Sequence, residues 1–306
     1  MARIFTFGEA LVDITFRDDR PVSAWPGGAM LNTSVSLGRL GMPVSLITEY
    51  GRDRVGTLID TFLRENGVDT SHAARFSGHR TSLALAFLDR DHNASYVFYK
   101  DPPRERLATE MPALTGEDML LFGSFFALDK GVRPVLNDLL EKARRAGTFI
   151  LYDPNFRKAH LDELSDLKAS ILDNLSAATL VRGSDEDFLN IFGTPDADTT
   201  YEEIRERVPW LVHTSSSRVV SLRTPRLSLD VEVPSVKVVS TVGAGDTFNA
   251  GLAYELFRRR ITPAKLEKVS REAWLEILRT AIRLAGRVCG TYENYIPEHS
   301  ADEVRS

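Results

Sequence analysis

The sequence predicts an α/β protein: a mostly parallel central sheet flanked by helices on both faces, with a small β lid. Three observations carry this reading. Short apolar runs recur at residues 119–123, 149–153, 178–181 and 210–213, mostly separated by helix-length segments such as 135–146, and strand–helix alternation of this kind builds a parallel sheet. Val55, Leu58, Ile59, Phe62 and Leu63 repeat with helical spacing, which marks one buried helix face that Gly67 would close. Between them and the later strands, residues 83–88 and 95–99 flank the polar stretch 89–93 and read as an antiparallel hairpin that breaks the alternation.

Composition narrows the function classes. With 306 residues, 43% of them hydrophobic, the chain can bury the core of one large domain. A net charge of −5 favours neither nucleic acid nor a membrane surface as partner. The only cysteine, Cys289, rules out an intramolecular disulfide and a cysteine-rich metal site, and on its apolar helix end it reads as a small buried hydrophobe. The N-terminal residues lack a signal-peptide profile, so a reducing cytoplasm is the expected location. No apolar run reaches the roughly 18 residues of a membrane span.

In chain order, residues 3–8 predict a first strand, and Asp13 then interrupts an apolar run, either as a strand-end carboxylate facing a cleft or as a solvated turn residue. Gly27 and Gly28 precede a small-residue helix in which Asn32 offers a donor and an acceptor to hydroxyl groups; the pair is a close-approach device or simply a turn. Residues 44–49 form a further core strand. The hairpin of residues 81–99 carries Tyr96, Phe98 and Tyr99, which would cover a ligand, meet a second copy of the chain, or form a plain sheet face. Residues 153–157 (Asp-Pro-Asn-Phe-Arg) follow the strand 149–153 at its carboxyl end, where parallel sheets collect their sites. Arg157 there suits a phosphate or substrate oxygen, or a loop salt bridge. After apolar runs at 218–222 and 227–233, residues 240–251 bring an extended segment to a glycine-bounded loop and a helix start at Asp246. A final helix spans about 272–288.

The chemistry centres on that helix start. Amides of a first helical turn, reinforced by the helix dipole, bind anions without a basic side chain. A carboxylate among them is placed to accept a proton from an attacking alcohol. Gly243-Ala244-Gly245 is followed by Phe248 rather than a third glycine, and no Gly-x-x-x-x-Gly-Lys-Ser/Thr occurs, so neither the dinucleotide fingerprint nor the P-loop is met. Phosphoryl transfer to an alcohol fits what remains.

Together these stretches resemble the ribokinase-like, or PfkB, carbohydrate kinases, and among them the fructokinase-like members. The resemblance runs through Gly8-Glu9 with Asp13, Pro26-Gly27-Gly28 with Asn32, residues 38–41, residues 51–56, residues 153–157 and residues 241–248. It implies a single ribokinase-like domain over residues 1–306, with a lid made of inserted segments at about 14–25 and 81–100. It implies transfer of the ATP γ-phosphate to a primary sugar hydroxyl, with Asp246 as base and the amides of Gly243, Ala244, Gly245 and Asp246 as anion hole. Asp13, Gly27, Gly28, Asn32, Phe98 and Arg157 match the sugar side. Ser184, Thr214, Ser216, Gly243, Gly245 and Asn249 match the nucleotide side, and Asp187 falls in the register of a Mg²⁺-associated acid. ATP and Mg²⁺ are the implied cofactors, and a homodimer through the lid is the implied assembly.

The departures lie on the nucleotide side. Ser240 stands where the family often has an aspartate beside a monovalent cation, which weakens the expectation of K⁺. Residues 214–219 lack the two glycines usual near the nucleotide, and their Cβ atoms would crowd it. Fructose is the expected substrate. Alternatives are 2-keto-3-deoxygluconate, whose carboxylate would pair with Arg104, Arg106 or Arg157, and ribose; outside enzymes, a catalytically inactive sugar or nucleotide sensor.

Overall fold

The structure is a computed structural model that describes residues 2–88, 94–215 and 218–299. Its strands are β1 (Ile4–Phe7), β2 (Leu11–Arg17), β3 (Arg20–Gly27), β4 (Val44–Gly51), β5 (Val68–Asp69), β6 (Ala73–Phe76), β7 (Leu83–Leu88), β8 (Ala94–Tyr99), β9 (Met119–Gly123), β10 (Phe149–Asp153), β11 (Leu180–Ser184), β12 (Leu211–Ser215), β13 (Val219–Arg223) and β14 (Ser228–Glu232). Its helices are α1 (Ala29–Arg39), α2 (Arg54–Glu65), α3 (Arg133–Ala146), α4 (Leu164–Ala177), α5 (Asp185–Phe192), α6 (Ala197–Ile204), α7 (Ala244–Arg258), α8 (Pro263–Leu266) and α9 (Arg271–Cys289).

The central sheet runs β14-β13-β12-β11-β10-β9-β1-β4-β5, with β6 also on β4. It is parallel from β12 to β5 and antiparallel only at β12–β13–β14. This is the mostly parallel α/β sheet, with helices on both faces, that the alternation predicts. Strand residues alternate between two cores: Met119 and Leu121 enter the layer with α1, α2, α7 and α9, while Leu120 and Phe122 enter the layer with α3, α4 and α5. A sheet buried on both faces therefore reads as unbroken apolar runs, which is why its strands were legible. Each such Leu or Phe contributes about 1.5–3 kcal/mol on burial. Helices α7 and α9 pack closely because a Cβ on Gly251 would sit 2.7 Å from Ala281 Cα. Among the described residues no helix is long and apolar enough to cross a membrane.

A second sheet, β3-β2-β7-β8, stands beside the first. β2 pairs antiparallel with β3 and parallel with β7, and β7 pairs antiparallel with β8, so the hairpin is extended by the segment from Leu11 to Gly27. Asp13 lies inside β2, opposite Trp25, rather than at a strand end. The reason is that β2 is laddered to β3 on one side and β7 on the other, so a single polar side chain does not end the pairing. His92 and the rest of the loop 89–93 fall outside the described residues.

Candidate active site

The first turn of α7 is held from behind. Gly243 is its N-cap at φ 78°, and a Cβ there would lie 1.9 Å from the Asn294 carbonyl oxygen, so the left-handed backbone and the close approach both call for glycine. The Ala244 N–H donates to Thr241 O at 3.3 Å, closing the turn before the helix. The amides of Gly245 and Asp246 come next and, by helix geometry, have no acceptor within α7. They lie at the positive end of the α7 dipole, where free helix-start amides can bind an anion.

Asp246 opens this helix and is tied to α1. Its Oδ2 accepts from Asn32 Nδ2 at 2.8 Å, and its backbone oxygen accepts from Thr33 Oγ1 at 3.1 Å. Asn32 is buried, and its Oδ1 has no partner. Burial pushes the Asp246 carboxyl up to about 6; the Asn32 hydrogen bond and the charges of Arg157 and Arg182 oppose this, while Asp153 adds to it. A carboxyl in that position is ionised at neutral pH and still basic enough to take a proton from an alcohol. Asp13 lies close by, pushed up to about 7 by burial and then by Asp246 and Glu9. A Cβ on Gly27 would fall 1.9 Å from Asp13 Oδ2, so that glycine makes room for the carboxylate. Gly28, at φ 116°, turns the chain into α1.

Of the residues expected on the nucleotide side, Ser184 and Thr214 lie at the carboxyl ends of β11 and β12, and Asn249 of α7 reaches the end of β10. Asn249 Nδ2 donates to Asp153 Oδ2 at 2.5 Å, and Arg182 reaches both Asp153 and Thr214. Ser184 caps α5, and Asp187 closes the cap: its Oδ2 accepts from the Ser184 N–H and Oγ, each at 2.7 Å, and its Oδ1 accepts from Phe156 N–H at 2.6 Å. Both Asp187 oxygens are thus occupied by protein donors. Ser240 Oγ accepts from Val242 N–H at 3.2 Å. Ser216 falls outside the described residues. Arg157 is exposed, yet near enough to Asp153 and Asp246 for its charge to oppose in part the rise that burial imposes on both carboxyls.

The profile of the pfkB family carbohydrate kinases matches residues 1–297. The chain belongs to that family. The kinase is 31% identical to a fructokinase of Rhizobium leguminosarum bv. trifolii over 83% of its length and 79% of the relative's. It is 26% identical to probable fructokinase-4 of Arabidopsis thaliana, over 96% and 92%. Its fold superimposes on the fructokinase of Vibrio cholerae O395 in its fructose, ADP and calcium ion bound form with a TM-score of 0.82 at 22% identity, covering 98% and 96% of the two chains. The aminoimidazole riboside kinase of Salmonella enterica gives 0.83 at 20%, covering 98% of each.

Near this site, though lined by neither Asp13, Asn32 nor Asp246, the kinase has a cleft of ≈ 480 Å³, counting its open mouth, lined among others by Glu9, Lys100, Arg106, Phe125 and Asp129. Its cations are matched. Lys100 Nζ meets Glu9 Oε1 at 2.8 Å, and Arg106 reaches Glu49 at 2.5 Å and Asp129 at 2.8 Å. Phe98 lies under Lys100 on the lid, 5.2 Å from Nζ to ring centroid. Sequence reasoning passed over Arg182, Asn294 and the Lys100–Glu9 pair as site elements, because each works through a partner far along the chain. For Arg182 a signal existed: a charge ending the apolar strand 178–181, beside the strand that ends in Asp153.

Proposed function

We propose that this kinase transfers the γ-phosphoryl group of ATP to a primary hydroxyl of a neutral sugar, with fructose as the first choice. Asp246 accepts the hydroxyl proton, and the amides of Gly243, Gly245 and Asp246 hold the transferring phosphoryl. Asp13 and Asn32 orient the sugar, Asn32 through the Oδ1 left without a partner. Phe98 closes the pocket from the lid. Phosphoryl transfer of this kind depends on positioning and charge stabilisation more than on a strong base, which suits a carboxyl held near 6. The observation that carries the reading is Asp246 itself: a carboxylate on the helix turn whose amides bind anions, fixed by Asn32 at 2.8 Å.

The pairing of Arg106, one of the three arginines that could meet a sugar acid, favours a neutral sugar. Arg106 is already engaged by Glu49 and Asp129, so 2-keto-3-deoxygluconate would have to displace a carboxylate from it. The fructokinase names of the relatives point the same way. Asp187 is committed to the α5 cap and to Phe156 N–H through both oxygens, so the metal is expected to arrive on the nucleotide phosphates. With Ser240 in a turn hydrogen bond and no carboxylate at that position, we expect turnover without K⁺. The exposed Val22, Val97 and Tyr99 of the lid suit a homodimer formed through that sheet.

The test is ATP-dependent phosphorylation across ketoses, aldopentoses, sugar acids and nucleosides, in Na⁺ and in K⁺ buffers. Fructose is expected to have the highest kcat/KM. A faster sugar acid would overturn the neutral-sugar reading, and no turnover on any of them would favour a binding protein over an enzyme.

A further inference from the structure

We infer that Arg182 is a positioning residue for phosphoryl transfer: its buried guanidinium lies behind the anion-binding turn of α7 and holds the carboxyl ends of β10 and β12 around it. The inference rests on the proposed roles of Asp246 and the turn amides. Arg182 is 8% exposed on a central strand, an expensive place for a charge. Its Nη1 donates to Asp153 Oδ2 at 3.2 Å on the adjacent strand β10, and its Nη2 donates to Thr214 Oγ1 at 2.8 Å on β12. The guanidinium carbon sits 5.4 Å from the centroid of the Phe248 ring on α7. A Cβ on Gly245 would be 3.1 Å from Nη1, so glycine there lets the anion-binding turn rest directly on the cation.

The contacts do not balance as a purely structural pair would. Arg182 Nε is buried without a partner, and Asn249 Oδ1, on the same Asp153 cluster, is likewise unpartnered. An apolar pair of similar volume would serve stability at least as well. What an apolar pair would lack is a fixed positive charge under the place where a phosphoryl oxygen gains negative charge, in surroundings that screen it little. The same charge favours the ionised form of Asp246. The groups facing Asp246 are Asn32 of α1, Asp13 of β2, Asp153 of β10, Arg157 of the following loop and Arg182 of β11. Of these, Arg182 is the buried cation.

The experiment compares wild type, Arg182→Met, Arg182→Lys and Asp246→Asn by kcat, sugar KM and the pH profile of kcat/KM, with thermal melting as a folding control. Arg182→Met is expected to lower kcat about tenfold or more, to leave sugar KM within about twofold, and to move the acid limb to higher pH. Arg182→Lys keeps the charge and is expected to keep the limb at its wild-type position. A limb that moves equally in both variants, or in neither, overturns the inference. Should Arg182→Met fail to fold, the double variant Asp153→Asn/Arg182→Met, which removes both charges, replaces it; wild-type kcat there would overturn the inference. The Asp246→Asn arm separates the two readings. If it keeps full turnover, the base assignment fails; if it is inactive while Arg182→Met behaves as wild type, only the Arg182 inference fails.

Discussion

The carboxyl edge of the central sheet and the second sheet bury their side chains to opposite degrees. At the edge, Asp153 and Asp187 are 1% and 4% exposed, and each is held by donors from other elements. On the second sheet, Val22, Phe98 and Tyr99 are 56%, 44% and 58% exposed. A group that must stabilise a transition state needs a fixed position in low dielectric, whereas a surface that must admit and enclose a sugar has to stay loosely packed. The contrast teaches where chemistry and recognition separate: substitutions at the edge should strike kcat, and substitutions on the lid should strike KM.

The largest expected effect breaks the edge at its centre. Asp246→Asn keeps the size of the side chain but removes the base, so turnover should fall by about 10³-fold or more. Sugar binding, followed by calorimetry, should remain measurable because Asp13 and the lid are untouched. An unchanged rate would refute the base role. Next, Gly243→Ala inserts a Cβ 1.9 Å from the Asn294 carbonyl at a positive φ, and the turn must shift. Displaced anion donors should lower kcat by about 10²-fold, and the strained backbone should lower Tm as well. A variant with wild-type kcat would show that the position of this turn does not govern the reaction.

The lid supplies the opposite signature. Phe98→Ala should raise sugar KM by about tenfold while kcat and Tm stay close to wild type, because the ring is half-exposed and carries little of the core. A fall in kcat with constant KM would erase the distinction between the two regions.

The same division decided what could be read from the sequence. Parallel strands buried on both faces are apolar runs, so the alternation was visible residue by residue; β5, only Val68–Asp69, was too short to leave such a signal. The site was legible where its parts are contiguous: Gly243 to Asp246 share one helix turn, and Gly27-Gly28 with Asn32 span another. Arg182 was not, since its meaning comes from Asp153, 29 residues earlier, and Thr214, 32 residues later. Asp13 reads as a strand-end carboxylate or a solvated turn residue because acidic residues usually stop an apolar run; inside β2 it is accommodated by the missing side chain of Gly27, which only the pairing of β2 with β3 reveals. Asp187 fell in the register of a metal-associated acid, but its capping box with Ser184 is a local device whose use of both oxygens depends on Phe156 as well.

The smallest expected effect tests whether the site is held against its own stability. Burial and the neighbouring Asp246 and Glu9 raise the Asp13 carboxyl to about 7, above its ordinary 3.8, so the folded chain binds this proton more tightly than the unfolded chain. The stability this contributes is fully present below the unfolded value and is lost as pH rises through about 7. Without ligand, the ionised Asp13 at about pH 8 is therefore a burden that sugar hydroxyls would relieve. Asp13→Asn removes the titration and should raise Tm by about 2–4 °C at that pH, with sugar affinity reduced. The gap between variant and wild type should shrink as pH falls toward about 5, where wild-type Asp13 is protonated. Melting curves across that range decide the point: a gap that does not depend on pH would mean Asp13 is not strained by its charge, and the cleft would then be less tightly built for its ligand than the edge of the sheet is for catalysis.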